Sequence, residues 1–206
     1  LHEVGLKVII VPGAKKHIDT LLNNAGLQWK EIDGIRITSE KEMSIIKMAS
    51  FDMSNKIMTS LAEEHLTAVI GNWVKARGKG VINGIDFQSA GEIDKINIPA
   101  LNAILEEGFI PIFPCIGWSS NGKPYNISSI NLAAQVATEL KAEKLFFLTH
   151  GKQISNEDFF IPDNISISPD GFVPAFSLEE LDAFLELNEN LGNFSIEKKH
   201  IINLLK

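Results

Sequence analysis

A single cysteine, Cys115, in a chain of 206 residues excludes an internal disulfide framework and points to a reducing compartment, the cytoplasm or an organelle matrix. Long apolar runs are also missing. The longest, residues 6–11 and 145–148, are strand-sized, so no stretch reads as a membrane span. No block of Lys or Arg occurs, and the formal net charge of −7 disfavours nucleic acid and anionic membranes as partners. The five histidines are scattered and Cys115 stands alone, so metal-ligand spacing is absent. His17 and Asp19, two apart on a helix, point in different directions and make a poor metal pair. No G-x-S-x-G elbow is present, and neither a repeat nor a low-complexity tract interrupts the chain.

What is there alternates between strand-like and helix-like segments. Residues 6–11, apolar except for Lys7, read as a strand buried on both faces. A loop at residues 12–16 leads to a helix over 16–25, stopped by Gly26. Residues 35–38 read as a short strand. Ser39 with Glu42 forms a capping box that opens the longest helix, residues 40–64. Met43, Ile46, Ala49, Ser50, Met53, Ile57 and Leu61 recur at helical spacing, and this stripe reads as core rather than groove. A strand over 67–74 follows, then turns and two short extended pieces across 78–96. Pro99 in its first turn and Gly108 at its end bound a helix over 98–107. Residues 109–116 read as a strand, 118–125 as a hairpin, 129–140 as a helix and 144–148 as another buried strand. Helices are expected over 177–187 and 195–205. The alternation predicts an α/β fold, a three-layer α/β/α sandwich around a mostly parallel sheet. The expected division is a core over residues 1–151 and a linker with a helical segment over 152–206.

In such sheets ligands lie beyond the carboxyl ends of the strands. Residues 12–15, 71–72, 115–117 and 149–151 fall there. Gly13 precedes a helix, so backbone N–H groups can meet an anion, with Lys15 and Lys16 adding charge. Gly117, Gly122 and Lys123 satisfy all but the last position of the phosphate loop G-x-x-x-x-G-K-[ST]. That position is Pro124, which has neither hydroxyl nor N–H, so the segment reads as a hairpin tip. The opening LHEVG reads as the last turn of a helix ending at a glycine. An upstream segment, including a first strand of the sheet, is therefore expected.

Five stretches carry a resemblance: GLKVIIVPGAKKHIDTLL, IRITSEKEMSIIKMASFDMSNKIMTSL, GNWVKARGKGVINGIDFQSAGEIDKI, ILEEGFIPIFPCIGWSSNGKPYNISSINLAAQVATELKAEKLFFLTHG and GFVPAFSLEELDAFL. In this order the chain resembles the amino-acid kinase family, in its arginine-biosynthesis branch of acetylglutamate kinase and the kinase-like domain of N-acetylglutamate synthase. The resemblance is close over residues 1–151 and loose beyond.

The branch is chosen by departures from the kinase pattern. Kinases carry adjacent glycines where this chain has Pro12-Gly13-Ala14, and an Asn-x-Asn-Ala-Asp run where it has Tyr125-Asn126-Ile127-Ser128-Ser129-Ile130-Asn131. The aspartate that organises the phosphoryl-neutralising lysines is thus missing. Thr149-His150-Gly151 likewise lacks the Thr-Asp pair of the kinase nucleotide site. The resemblance therefore implies a regulatory domain that binds arginine as feedback effector and builds a homo-oligomer. Acetyl transfer from acetyl-CoA to glutamate would belong to a separate domain of the parent protein, and this chain would itself hold no cofactor. The alternatives are an acetylglutamate kinase using ATP and magnesium, and a scaffold that binds nothing. The implied substrate-like crevice comprises Gly13, Ala14, Lys15, Arg36, Asn72 and Asn126. Arg36 would meet a carboxylate of acetylglutamate or glutamate, although a solvated strand-end charge is the competing reading. Asn72 and Asn126 could equally cap turns. Glu189, Asn193 and Ser195 are the polar candidates for the effector. No catalytic residue and no metal ligand is expected.

Overall fold

Ser39 starts the longest helix as expected: its side chain accepts from the Glu42 N–H, and the Glu42 carboxylate accepts from the Ser39 N–H at 2.7 Å. The computed structural model describes His2, residues 5–149 and the strand pieces 155–156, 159–160 and 175–177. Helix α1 spans Lys15–Asn24 and helix α2 spans Glu40–Glu63, with the short hairpin β1 (Glu31–Ile32) and β2 (Ile35–Arg36) between them. Strand β3 (Ala68–Ile70) pairs in parallel with β8 (Ile110–Ile112), and Ile10 bridges Ile112 in parallel on the other side of β8. A further parallel pair joins β11 (Phe147–Thr149) to β14 (Ala175–Ser177).

Around the parallel strands lies an antiparallel excursion. Strand β4 (Val74–Gly78) runs antiparallel to β7 (Gly91–Ile96), and β9 (Ile116–Trp118) antiparallel to β10 (Pro124–Asn126), in the order β10-β9-β4-β7. Strands β4 and β9 meet in parallel at Lys75 and Trp118. The hairpin β5 (Val81–Ile82) and β6 (Ile85–Asp86) projects between β4 and β7. Helices α3 (Ile98–Glu106) and α4 (Ser129–Glu139) complete the described elements, together with β12 (Ser155–Asn156) and β13 (Phe159–Phe160).

Helices cover both faces of the strands. Ile57 and Leu61 of α2 bury against Ile10, Ile110 and Ile112, while Met43, Ile46 and Ala49 pack on Ile18 and Leu22 of α1. On the opposite face Leu101 of α3 and Leu132 and Val136 of α4 close over Val11, Val74 and Phe113. Burying a side chain of this size contributes about 1.5–3 kcal/mol, so the stripe on α2 is core.

Three expectations need correction. Residues 6–11 are not a strand buried on both faces: Leu6 is 43% exposed, and only Ile10 and Val11 are buried. The run is apolar because its end, not its length, enters the core. The single strand expected over 67–74 is two strands broken at Gly71–Trp73, because the Trp73 ring folds back over Gly71 and its Nε1–H donates to the Ile112 carbonyl at 3.2 Å. The strand expected over 109–116 is likewise split, with Pro114 and Cys115 turning the chain between β8 and β9. The helix expected over 195–205 lies outside the described residues, as does that over 177–187 except Ser177, which ends β14.

Candidate functional site

Pro12, Gly13 and Ala14 form the turn that carries the chain from Val11 into α1. Ala14 occupies the N-cap position without a side-chain cap. A Cβ placed on Gly13 would find Ser129 Oγ at 3.9 Å, so this turn faces the first residue of α4 across little more than van der Waals distance. Beneath them the Cys115 thiol donates to the Pro12 carbonyl at 3.2 Å. Burial pushes its pKa up to about 12, opposed by a side-chain hydrogen bond with Ser129. The thiol therefore stays protonated and serves as a structural donor rather than a nucleophile.

Ser128 caps α4 by accepting from the Asn131 N–H at 3.4 Å, and the first turn of α4 carries no acidic residue. Hydroxyl and backbone groups are present there, and the carboxylate that the kinase pattern uses to organise lysines is not. Lys15, expected to add charge at Gly13, is drawn to Glu31 of β1 at 2.7 Å. This exposed pair is worth no more than about 1 kcal/mol.

Arg36 is not a solvated strand-end charge. Its side chain is 7% exposed, its Nη2 is ion-paired with Asp19 of α1, and its guanidinium carbon lies 4.7 Å from the centre of the Trp29 ring. Its Nη1 is buried with no hydrogen-bond partner. A buried donor left unsatisfied costs about 1–3 kcal/mol, more when charged, and an acceptor reaching Nη1 would recover that.

Two residues on, Thr38 is fully buried and donates its hydroxyl to the Arg36 carbonyl at 3.1 Å. Asn126 donates from Nδ2 to the same hydroxyl oxygen at 3.2 Å, so its side chain does not cap a turn. Ser89 joins the two segments: its N–H donates to the Thr38 carbonyl at 2.8 Å, and its carbonyl accepts from the Asn126 N–H at 2.9 Å. The structure thus brings Arg36 and Asn126 together through Thr38, and sets Gly13 and Ala14 against the start of α4. Asn72 does not join them. It is exposed at the bend between β3 and β4 and makes no hydrogen bond to this group. Glu189, Asn193 and Ser195 lie outside the described residues.

Four contributors escaped the sequence reading: Asp19, Trp29, Thr38 and Ser89. Asp19 had been weighed only as a metal partner for His17. In the structure the two part as their spacing required, His17 Nε2 to Asp52 of α2 at 2.7 Å and Asp19 to Arg36. Asp52 also meets Lys56 at 2.8 Å, and its pKa is lowered chiefly by the hydrogen bond from Lys56. No cluster of three or more metal-ligating side chains exists among the described residues. Among them, too, no helix is long and apolar enough to cross a membrane.

Parallel strands flanked by helices, with a glycine-bearing turn facing a helix start, define an α/β domain whose ligands are expected beyond the carboxyl ends of the strands. The chain belongs to the amino acid kinase family, whose profile matches residues 1–200. It is 30% identical to an acetylglutamate kinase of Campylobacter hominis over 217 aligned residues, covering 98% of this chain and 74% of the kinase. An amino-acid acetyltransferase of Vibrio vulnificus is 33% identical over 167 residues, covering 77% of this chain and 38% of the transferase. The N-acetylglutamate synthase of Neisseria gonorrhoeae, solved with coenzyme A and L-arginine, superposes with a TM-score of 0.72 at 26% identity. The match covers 96% of this chain but only 45% of the synthase. The same synthase with coenzyme A and N-acetyl-glutamate gives a TM-score of 0.72 at 27% identity.

Proposed function

We propose that this chain is the regulatory, non-phosphorylating domain of an N-acetylglutamate synthase-like protein. It binds arginine as feedback effector, keeps a crevice for the carboxylate of glutamate or acetylglutamate, and mediates homo-oligomerisation in the cytoplasm. The observation that carries the reading is the start of α4, where Ser128, Ser129, Ile130 and Asn131 provide no carboxylate. Phosphoryl transfer needs cations held in place around the moving group, and nothing at that position holds them. The buried, unpaired Nη1 of Arg36 supports retention of a carboxylate ligand. Acetyl transfer from acetyl-CoA is assigned to a separate domain of the parent protein, so this chain needs no cofactor of its own.

Calorimetric titration with arginine, lysine and N-acetylglutamate tests the reading. Heat is expected with arginine and with acetylglutamate. No heat with any of the three would overturn it.

One observation favours a second reading. The similarity to the Campylobacter hominis acetylglutamate kinase runs through 98% of this chain, which suits an ATP-dependent kinase of acetylglutamate. Release of ADP dependent on acetylglutamate would establish that activity and displace the regulatory reading.

A further inference from the structure

Arg36 is held on three sides, and one of its donors is left unsatisfied. Asp19, from the middle of α1, ion-pairs with Nη2. Trp29, from the segment between α1 and β1, lies under the guanidinium face at 4.7 Å. The Arg36 carbonyl is tied to Thr38 at 3.1 Å, which fixes the backbone from which the side chain departs. Nη1 is buried without a hydrogen-bond partner. A guanidinium carries five N–H donors in a rigid fork, so fixing one nitrogen and one face fixes the direction of the remainder.

We infer that Trp29 and Asp19 are positioning residues that reserve Arg36 Nη1 for one carboxylate oxygen of the ligand. The inference rests on the crevice being a carboxylate site. Each partner has a separate effect. Asp19 neutralises the cation while leaving Nη1 unused, so the ligand competes with no internal acceptor at that nitrogen. Trp29 supplies a face that accepts a cation but offers no hydrogen-bond acceptor, so it orients the guanidinium without satisfying it. A carboxylate would complete the fork; an uncharged amide oxygen at the same place would make a weaker bond, because the charge-assisted part is lost. Trp29 and Asp19 therefore act on selectivity for a carboxylate over an amide, beyond any effect on folding.

The test is calorimetry with N-acetylglutamate and its α- and γ-monoamides, reading the preference for the diacid over the weaker-binding amide. Five variants are compared: Arg36→Ala, Trp29→Leu, Trp29→Phe, Asp19→Ala and Asp19→Asn, each checked by thermal melting. Trp29→Leu and Asp19→Ala should lower the preference about tenfold, the size of a lost cation–π or charge-assisted contact at a desolvated site. Trp29→Phe keeps a ring face and should retain the preference within about threefold, whereas Asp19→Asn keeps an acceptor oxygen but loses the charge, so its preference should fall between those of the parent and Asp19→Ala. If Trp29→Leu does not fold, Asp19→Ala decides, since that side chain is 29% exposed. Loss of the preference in Arg36→Ala with none in folded Trp29→Leu or Asp19→Ala would overturn the positioning role and leave the carboxylate site standing. An unchanged preference in Arg36→Ala would overturn the carboxylate site, and the positioning role with it.

Discussion

Asn126 and Thr38 are 88 residues apart in sequence, yet the Asn126 amide donates to the Thr38 hydroxyl at 3.2 Å. That bond ties the end of the β9–β10 hairpin to the residue that orients Arg36. The candidate site is thus a junction of α1, β2 and β10 rather than a property of any one loop.

Arg36→Ala is expected to weaken binding of acetylglutamate or glutamate by about 1.5–3 kcal/mol, the range for a lost charge-assisted contact. Titration calorimetry measures it. An unchanged affinity would reduce Arg36 to a structural partner of Asp19 and Trp29.

Ser129→Asp restores a carboxylate at the start of α4 but should produce no kinase activity. Charge neutralisation needs organised cations as well as the residue that organises them, and Lys15 is already drawn to Glu31 at 2.7 Å. A coupled assay for ADP release checks the variant. Acetylglutamyl phosphate made by the unmodified chain would contradict the regulatory reading directly.

Gly71→Ala should lower stability by about 1–3 kcal/mol, the cost of overpacking a filled core. The added Cβ would stand 2.2 Å from the Trp73 ring, which must then leave its place. Urea unfolding monitored by tryptophan fluorescence gives the change. A midpoint equal to that of the parent would mean the ring is not wedged there.

Cys115 should resist thiol reagents in the native state and react once the chain is unfolded in urea. Its folded pKa of about 12 stands above the ordinary thiol value of 9.0 because burial penalises the thiolate. The native state thus holds the proton more tightly. This contribution to stability is complete below about pH 9 and falls by about 1.4 kcal/mol per pH unit up to about pH 12. Unfolding curves for Cys115→Ala, compared with the parent across that window, should lose this component of the slope; parallel slopes would place the thiol in a less buried setting.

Much of the local structure was legible because it is written in adjacent residues. Ser39 and Glu42 announce their helix through a bond spanning three positions, and Gly26 and Gly108 mark chain reversals with φ of +67° and +77°. The run at residues 67–74 was misread because alternation and apolarity do not reveal that Trp73 folds onto Gly71. Of the candidate site, Arg36 and Asn126 were proposed by resemblance, while Gly13 also stood out by its place before a helix. The burial of Arg36 was not legible, since its partners Asp19 and Trp29 sit on another helix and in a connecting segment. A charge reads as exposed until its counter-ion is known.

The bridging by Ser89 has a kinetic consequence. Thr38, Ser89 and Asn126 meet only when three distant parts of the chain have been brought together, whereas the contacts of α1 with α2 close a short loop. Pairings of long sequence separation are slow to form because their loop-closure entropy is met first. The crevice is therefore expected to be completed after the helical pair α1–α2. A ligand that needs all three segments finds no foothold in the transition state, so it should leave the refolding rate unchanged and slow unfolding instead. Occupancy would then set the lifetime of the folded chain.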